Sequence, residues 1–139
     1  MHHPWRVFAG LSDWRLQWAH LPPDVFGLTC HRTKTVTLAE GLTQAERRCT
    51  IAHETQHILR GPVPTGGELY EELVINRKVA RLLLPSVRRV GHALAFHRAD
   101  MEGAADDLWV DEPTLHVRLS ALAPKERAWM QEQLATIWL

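Results

Sequence analysis

Histidine, glutamate and histidine occupy positions 53, 54 and 57 in the run His53-Glu54-Thr55-Gln56-His57. On an α-helix, residues four apart project from one face about one turn apart, so His53 and His57 can offer two imidazole nitrogens to a single tetrahedral zinc ion. Glu54 then lies beside that face, close enough to a metal-bound water to take its proton as a general base. The chemistry open to such a set is metal-assisted hydrolysis. The chain carries nine histidines in 139 residues, so this spacing arises by chance at roughly the few-per-cent level and the surroundings must add weight. They do: Thr50, Ile51 and Ala52 before the run, and Ile58 and Leu59 after it, are all uncharged. A helix of that kind is built for burial, where two histidines and an acid are costly unless they are paired or bound to metal.

Zinc in a hydrolase keeps three protein ligands and leaves a fourth position to water, so a third ligand is required. Glu68, Glu71 and Glu72 are the candidates in the next helical segment. Glu72 is preferred because Asn76, four residues on, shares its face and can accept the Nδ1 proton of a ligating histidine, fixing its tautomer. Glu68 and Glu71 read as solvated groups or partners of the helix dipole. Candidates for a donor to a developing oxyanion are Tyr70, His92, His97 and His116, with Tyr70 favoured as the nearest to the metal helix in sequence.

Several elements must hold these groups in place. Thr43 with Glu46 forms a capping box that opens a helix over Ala45–Leu59, closed by Gly61-Pro62. A second helix over Glu68–Leu84 stops at Pro85, and its stripe of Leu69, Leu73, Ile75, Val79, Leu82 and Leu83 is wide enough to be largely buried. Upstream, Val25–His31 and Thr35–Leu38 are β-rich segments split by Arg32-Thr33-Lys34, which reads as a hairpin, and Leu21-Pro22-Pro23-Asp24 is a turn. Trp5–His20 is aromatic and irregular. Downstream, a third helix over roughly Ser86–His97 precedes a tail of shorter ones: Ala104–Leu108, Pro113–Leu122 opened by Asp111, and Pro124–Trp138. The expected fold is α+β, a mostly helical single domain over 1–139 with a small antiparallel N-terminal sheet packed on the zinc helix.

Composition agrees with a globular chain, at 45% hydrophobic and 23% charged residues. Lys+Arg and Asp+Glu balance at 16 each, which removes any whole-chain attraction to nucleic acid or an anionic membrane. The tail, about 104–139, has a helix-turn-helix-like shape in which Arg118 and Arg127 could face phosphate. Asp106, Asp107, Asp111 and Glu112 at its turn would repel that backbone, so direct nucleic-acid binding is not expected. Cys30 and Cys49 form no metal or redox pair and read as buried free thiols. No apolar run is long enough to span a membrane and the N-terminus does not resemble a signal peptide. A cytoplasmic protein is expected.

Taken together, the residues resemble the ImmA/IrrE family of gluzincin-type metallopeptidases. The resemblance runs through Arg47–His57, through Glu72-Leu73-Val74-Ile75-Asn76-Arg77-Lys78-Val79-Ala80, and through Leu82-Leu83-Leu84-Pro85. It covers roughly residues 25 to 122. It implies a mixed fold with zinc held by His53, His57 and Glu72, and Glu54 as base. It also implies peptide hydrolysis in bacterial or phage regulation, with a DNA-bound helix-turn-helix repressor as a substrate type. Thr55-Gln56 replaces the Leu-Gly usual between the histidines, and Val74-Ile75 stands where a small residue often precedes Asn. The alternative expectation is a catalytically inactive, zinc-containing module that senses a partner or associates with DNA. A deformylase-like hydrolase would need a cysteine ligand, and Cys30 lacks the flanking pattern for one.

Overall fold

A computed structural model describes residues 1–135. In chain order the elements are α1 (Pro4–Ala9), β1 (Arg15–Ala19), β2 (Gly27–Cys30), β3 (Thr35–Ala39), α2 (Gln44–Arg60), α3 (Glu68–Leu83), α4 (Val87–Phe96), α5 (Met101–Asp107), α6 (Glu112–Ser120) and α7 (Pro124–Ala135). The fold is α+β, as expected. Trp138, assigned to the last helix from sequence, lies outside the described residues. The chain divides into two compact units, Met1–Val79 and Ala80–Leu139.

The first unit is a three-stranded sheet packed on α1 and α2. The Val25–Leu38 hairpin is present as the antiparallel pair β2–β3, with Leu28 opposite Thr37 and Thr29 opposite Val36. Lys34 takes a positive φ of 52° in the connecting turn. The sheet is mixed rather than purely antiparallel, because β1 joins the other side of β3 in parallel, pairing Leu16 with Val36 and Trp18 with Leu38. This strand falls within the segment that sequence patterning leaves irregular, and its side chains explain why: Arg15, Gln17 and Trp18 are all exposed, so no clean alternation marks it. The strand order β1-β3-β2 makes β3 central. Val36 and Leu38, two residues apart and so on one face of β3, are completely buried. These two pack with Phe8 and Ile51, and partly buried Trp14, Leu16 and Ile58 close around them. The sheet therefore shares its core with the same helix that carries the two histidines.

In the second unit, Ser86 and Asp111 cap α4 and α6 through their side chains, accepting from the amides of Arg89 and Thr114. Its centre includes a buried cation: Arg118, only 2% exposed, donates from Nε to the Leu84 carbonyl at 2.8 Å and from Nη2 to Glu126 Oε2 at 2.7 Å. That fixation removes Arg118 from any phosphate-facing role. Glu126 also accepts from the Ala123 amide, and the Arg118 guanidinium together with that amide holds its carboxyl at about 2. Gly91 of α4 lies directly against the ring of Trp129 on α7. Among the described residues no helix is long and apolar enough to cross a membrane.

Candidate metal centre

The helix that bears the histidines is specified by its ends. The Thr43 hydroxyl accepts from the Glu46 amide at 3.1 Å and the Glu46 carboxylate accepts from the Thr43 amide at 2.9 Å, satisfying two of the free donors at the helix start. Gly61 ends the helix with φ 85°, a left-handed conformation that a side chain would strain. Between them Cys49, Thr50, Ile51, Ala52, Glu54, Thr55 and Gln56 are buried. His53 and His57 sit at the margin of that buried face, their side chains 21% and 17% exposed. The rings are edge-on, with centroids 5.0 Å apart.

Glu72 comes from α3, and its carboxylate lies between the two rings: Oε2 is 2.9 Å from His53 Nε2 and Oε1 is 2.8 Å from His57 Nε2. The ligand atoms of His53, His57 and Glu72 all lie within 4.8 Å of one another, so this group could hold a metal ion. Both histidines would ligate through Nε2, which leaves each Nδ1 for an orienting partner. Three converging donors, one of them a half-exposed carboxylate, leave room on the open side for a further ligand.

The apolar stripe expected on α3 is only half buried. Ile75, Val79 and Leu83 are inside, but Leu69 is 87% and Leu73 49% exposed. The reason is electrostatic: the first two turns present Glu71 and Glu72 to the cations and imidazoles of α2, and on a helix that choice rotates Leu69 and Leu73 away. Glu71, expected to be solvated, is buried, receiving Arg60 Nε at 2.5 Å and Nη2 at 3.0 Å. The Arg60 guanidinium holds its carboxyl below the usual range.

Glu54, next to His53, is 6% exposed. Its Oε2 accepts from the hydroxyl of Thr29 on β2 at 2.5 Å. Two residues earlier on that strand, a Cβ on Gly27 would lie 3.0 Å from both Cγ and Oε1 of Glu54 and 2.7 Å from Thr50 Cγ2. Glycine at this position lets the strand approach the carboxylate. Thr29 and Gly27 therefore belong to the site, and sequence reasoning missed them because nothing in a single strand says which residue will face an acid 25 positions on. Arg60, three residues past His57, was missed as well, since nothing along the helix names its partner Glu71.

Tyr70 and Asn76 both stand exposed on α3, outside this set of contacts. His92, His97 and His116 lie in the second unit, each with a local neighbour: Trp129, Asp107 and Glu112 respectively. Neither cysteine is in a disulfide; Cys49 is buried as expected, but Cys30 is exposed at the end of β2, where alternation turns its side chain outward.

No protein-family model and no curated protein matches the chain. A solved structure of a Mycobacterium tuberculosis transcriptional regulator is similar in fold, with a TM-score of 0.64 at 21% sequence identity. The similarity covers 91% of this chain but only 45% of that one, so this chain spans less than half the length of its structural relative.

Proposed function

We propose that the chain is a zinc-dependent metallo-endopeptidase of the bacterial or phage cytoplasm, cleaving a repressor or a similar regulatory protein. The observation that carries this reading is the convergence of His53, His57 and Glu72 beside a buried Glu54 that a neighbouring strand holds by its Oε2. Two imidazole nitrogens and one carboxylate oxygen form a donor set that suits zinc, and the half-exposed third ligand keeps the site open as catalysis requires. A bound zinc ion supplies Lewis acidity, which acidifies water at the site and polarises a scissile carbonyl.

Glu54 does the proton work. With Oε2 engaged by Thr29, Oε1 is the oxygen left to take a proton from the attacking water and later to pass it to the leaving amine. β2 is an outer strand of the sheet. An extended peptide pairing with its free edge would lie alongside the strand that holds Glu54, which favours an internal peptide bond over a small molecule. The resemblance to ImmA/IrrE peptidases supplies the regulatory substrate class.

The test compares zinc content and proteolysis of candidate repressors for the wild type and Glu54→Gln. The expected result is equal zinc in both and loss of at least about a hundredfold in cleavage rate for the variant, the scale of a general base. Unchanged cleavage at full zinc occupancy would remove Glu54 from the mechanism. A second reading, in which the metal organises a non-catalytic regulatory module, is favoured by the fold shared with a transcriptional regulator. It predicts that chelation alters partner binding while no partner is cut.

A further inference from the structure

We propose that the Arg60–Glu71 ion pair is a positioning clamp that sets Glu72 against His53 and His57, and so determines the affinity of the metal centre. This inference rests on reading those three residues as a metal site. His53, His57 and Arg60 follow one another at spacings of four and three residues, so they form one stripe along α2. Glu71 and Glu72 are adjacent on α3, and each reaches a different part of that stripe: Glu72 the two histidines, Glu71 the arginine one turn beyond.

The buried apolar packing of α3 begins at Ile75, one turn beyond Glu71, so the first turns ahead of it are oriented chiefly by their polar contacts. The connection from Gly61 to Gly67 contains three glycines and two prolines, and Gly61 and Gly66 have φ of 85° and 90°. Of the apolar residues in the first two turns, Leu69 and Leu73 are exposed and Val74 is only partly buried. Glu71 is the buried residue of those turns, and both its oxygens are engaged by one guanidinium, Oε1 by Nε and Oε2 by Nη2. A planar two-point contact fixes orientation as well as distance, which a lysine ammonium cannot do. A rotation of α3 by about 10–20° is enough to spoil ligand geometry at a site of this kind. Glu72, half exposed and next in sequence, takes its direction from the residue beside it.

Zinc affinity, measured by competition with a chromophoric chelator on the full chain, tests this without a substrate. Arg60→Gln is the decisive variant, because charge and geometry predict opposite outcomes. Removing a cation near a Zn²⁺ site tightens binding if its field is all that matters, whereas loss of the clamp weakens binding by on the order of tenfold or more. Arg60→Lys keeps the charge and loses the fork, so it should also weaken binding, and the visible spectrum of the Co²⁺-loaded variant should change intensity as the ligand geometry relaxes. Far-UV circular dichroism confirms that each variant is folded. If the wild type binds zinc and both Arg60 variants bind it as tightly or more tightly, with unaltered Co²⁺ spectra, the clamp is overturned while the metal site stands. A wild type that takes up no zinc overturns the metal reading itself, and the clamp with it.

Discussion

Thr29→Val isolates the bond that orders Glu54. The substitution keeps the β-branched shape that suits strand β2 and removes one hydroxyl, which donates to Glu54 Oε2 at 2.5 Å. Glu54 is 6% exposed, so water cannot fully replace the lost donor. A hydrogen bond to a charged group contributes about 1.5–3 kcal/mol, and this one has the length of a strong charge-assisted bond. The expected loss in unfolding free energy is therefore about 2 kcal/mol, seen as a reduced urea midpoint with little change in slope. Repeating the substitution in a Glu54→Gln background should cost only about 1 kcal/mol, because a neutral acceptor gains less from the same donor. The difference between the two costs is the coupling energy, and Thr29→Ser should recover most of the loss. A loss below about 0.5 kcal/mol, or equal losses in both backgrounds, would refute the assignment of this bond as a support for a buried carboxylate.

Two further outcomes follow from the second unit. Glu126 has its carboxyl held at about 2 against an ordinary 4.5, and a depressed carboxyl stabilises the folded state above its unfolded pKa and loses that contribution as pH falls through the folded one. The shift corresponds to about 3 kcal/mol, so the stability gap between wild type and Glu126→Gln, read by urea unfolding, should narrow between pH 5 and pH 2 by about that amount; a gap independent of pH contradicts it. Gly91→Ala should destabilise the protein by about 1–2 kcal/mol even though alanine is the better helix former by about 1 kcal/mol, because the added Cβ would overlap the Trp129 ring, with Cη2 only 2.6 Å away. A rise in thermal midpoint for this variant would mean that the ring yields without cost.

The helical framework was legible because its signals are local. Thr43 with Glu46, Gly61, Ser86 and Asp111 each mark an end within a few residues, and α2, α4 and α6 begin or stop where those residues stand. The triad of His53, His57 and Glu72 was legible for a related reason: two members share a helix, and the third was chosen from only three carboxylates on the next. What sequence could not supply was rotation and register. Leu69 and Leu73 looked like core residues, yet α3 turns Glu71 and Glu72 inward because Arg60 and the histidines lie opposite. β1 was invisible since a strand with three of five residues exposed has no alternation to read. Thr29 meets Glu54 only because β2 crosses α2 in one register, fixed by pairings with β3 that no single segment encodes.

The placement of β2 at the rim of the sheet has a consequence for timescale. Its amides and carbonyls are held on one side only, by β3, so this strand frays at a smaller free energy than the central one. Each such opening carries Thr29 away and leaves Glu54 without its tether. Amide exchange at Leu28 to Cys30 would thus report how often the carboxylate is released, and the ordering of Glu54 is tied to an edge strand of the sheet as well as to the helix on which it stands.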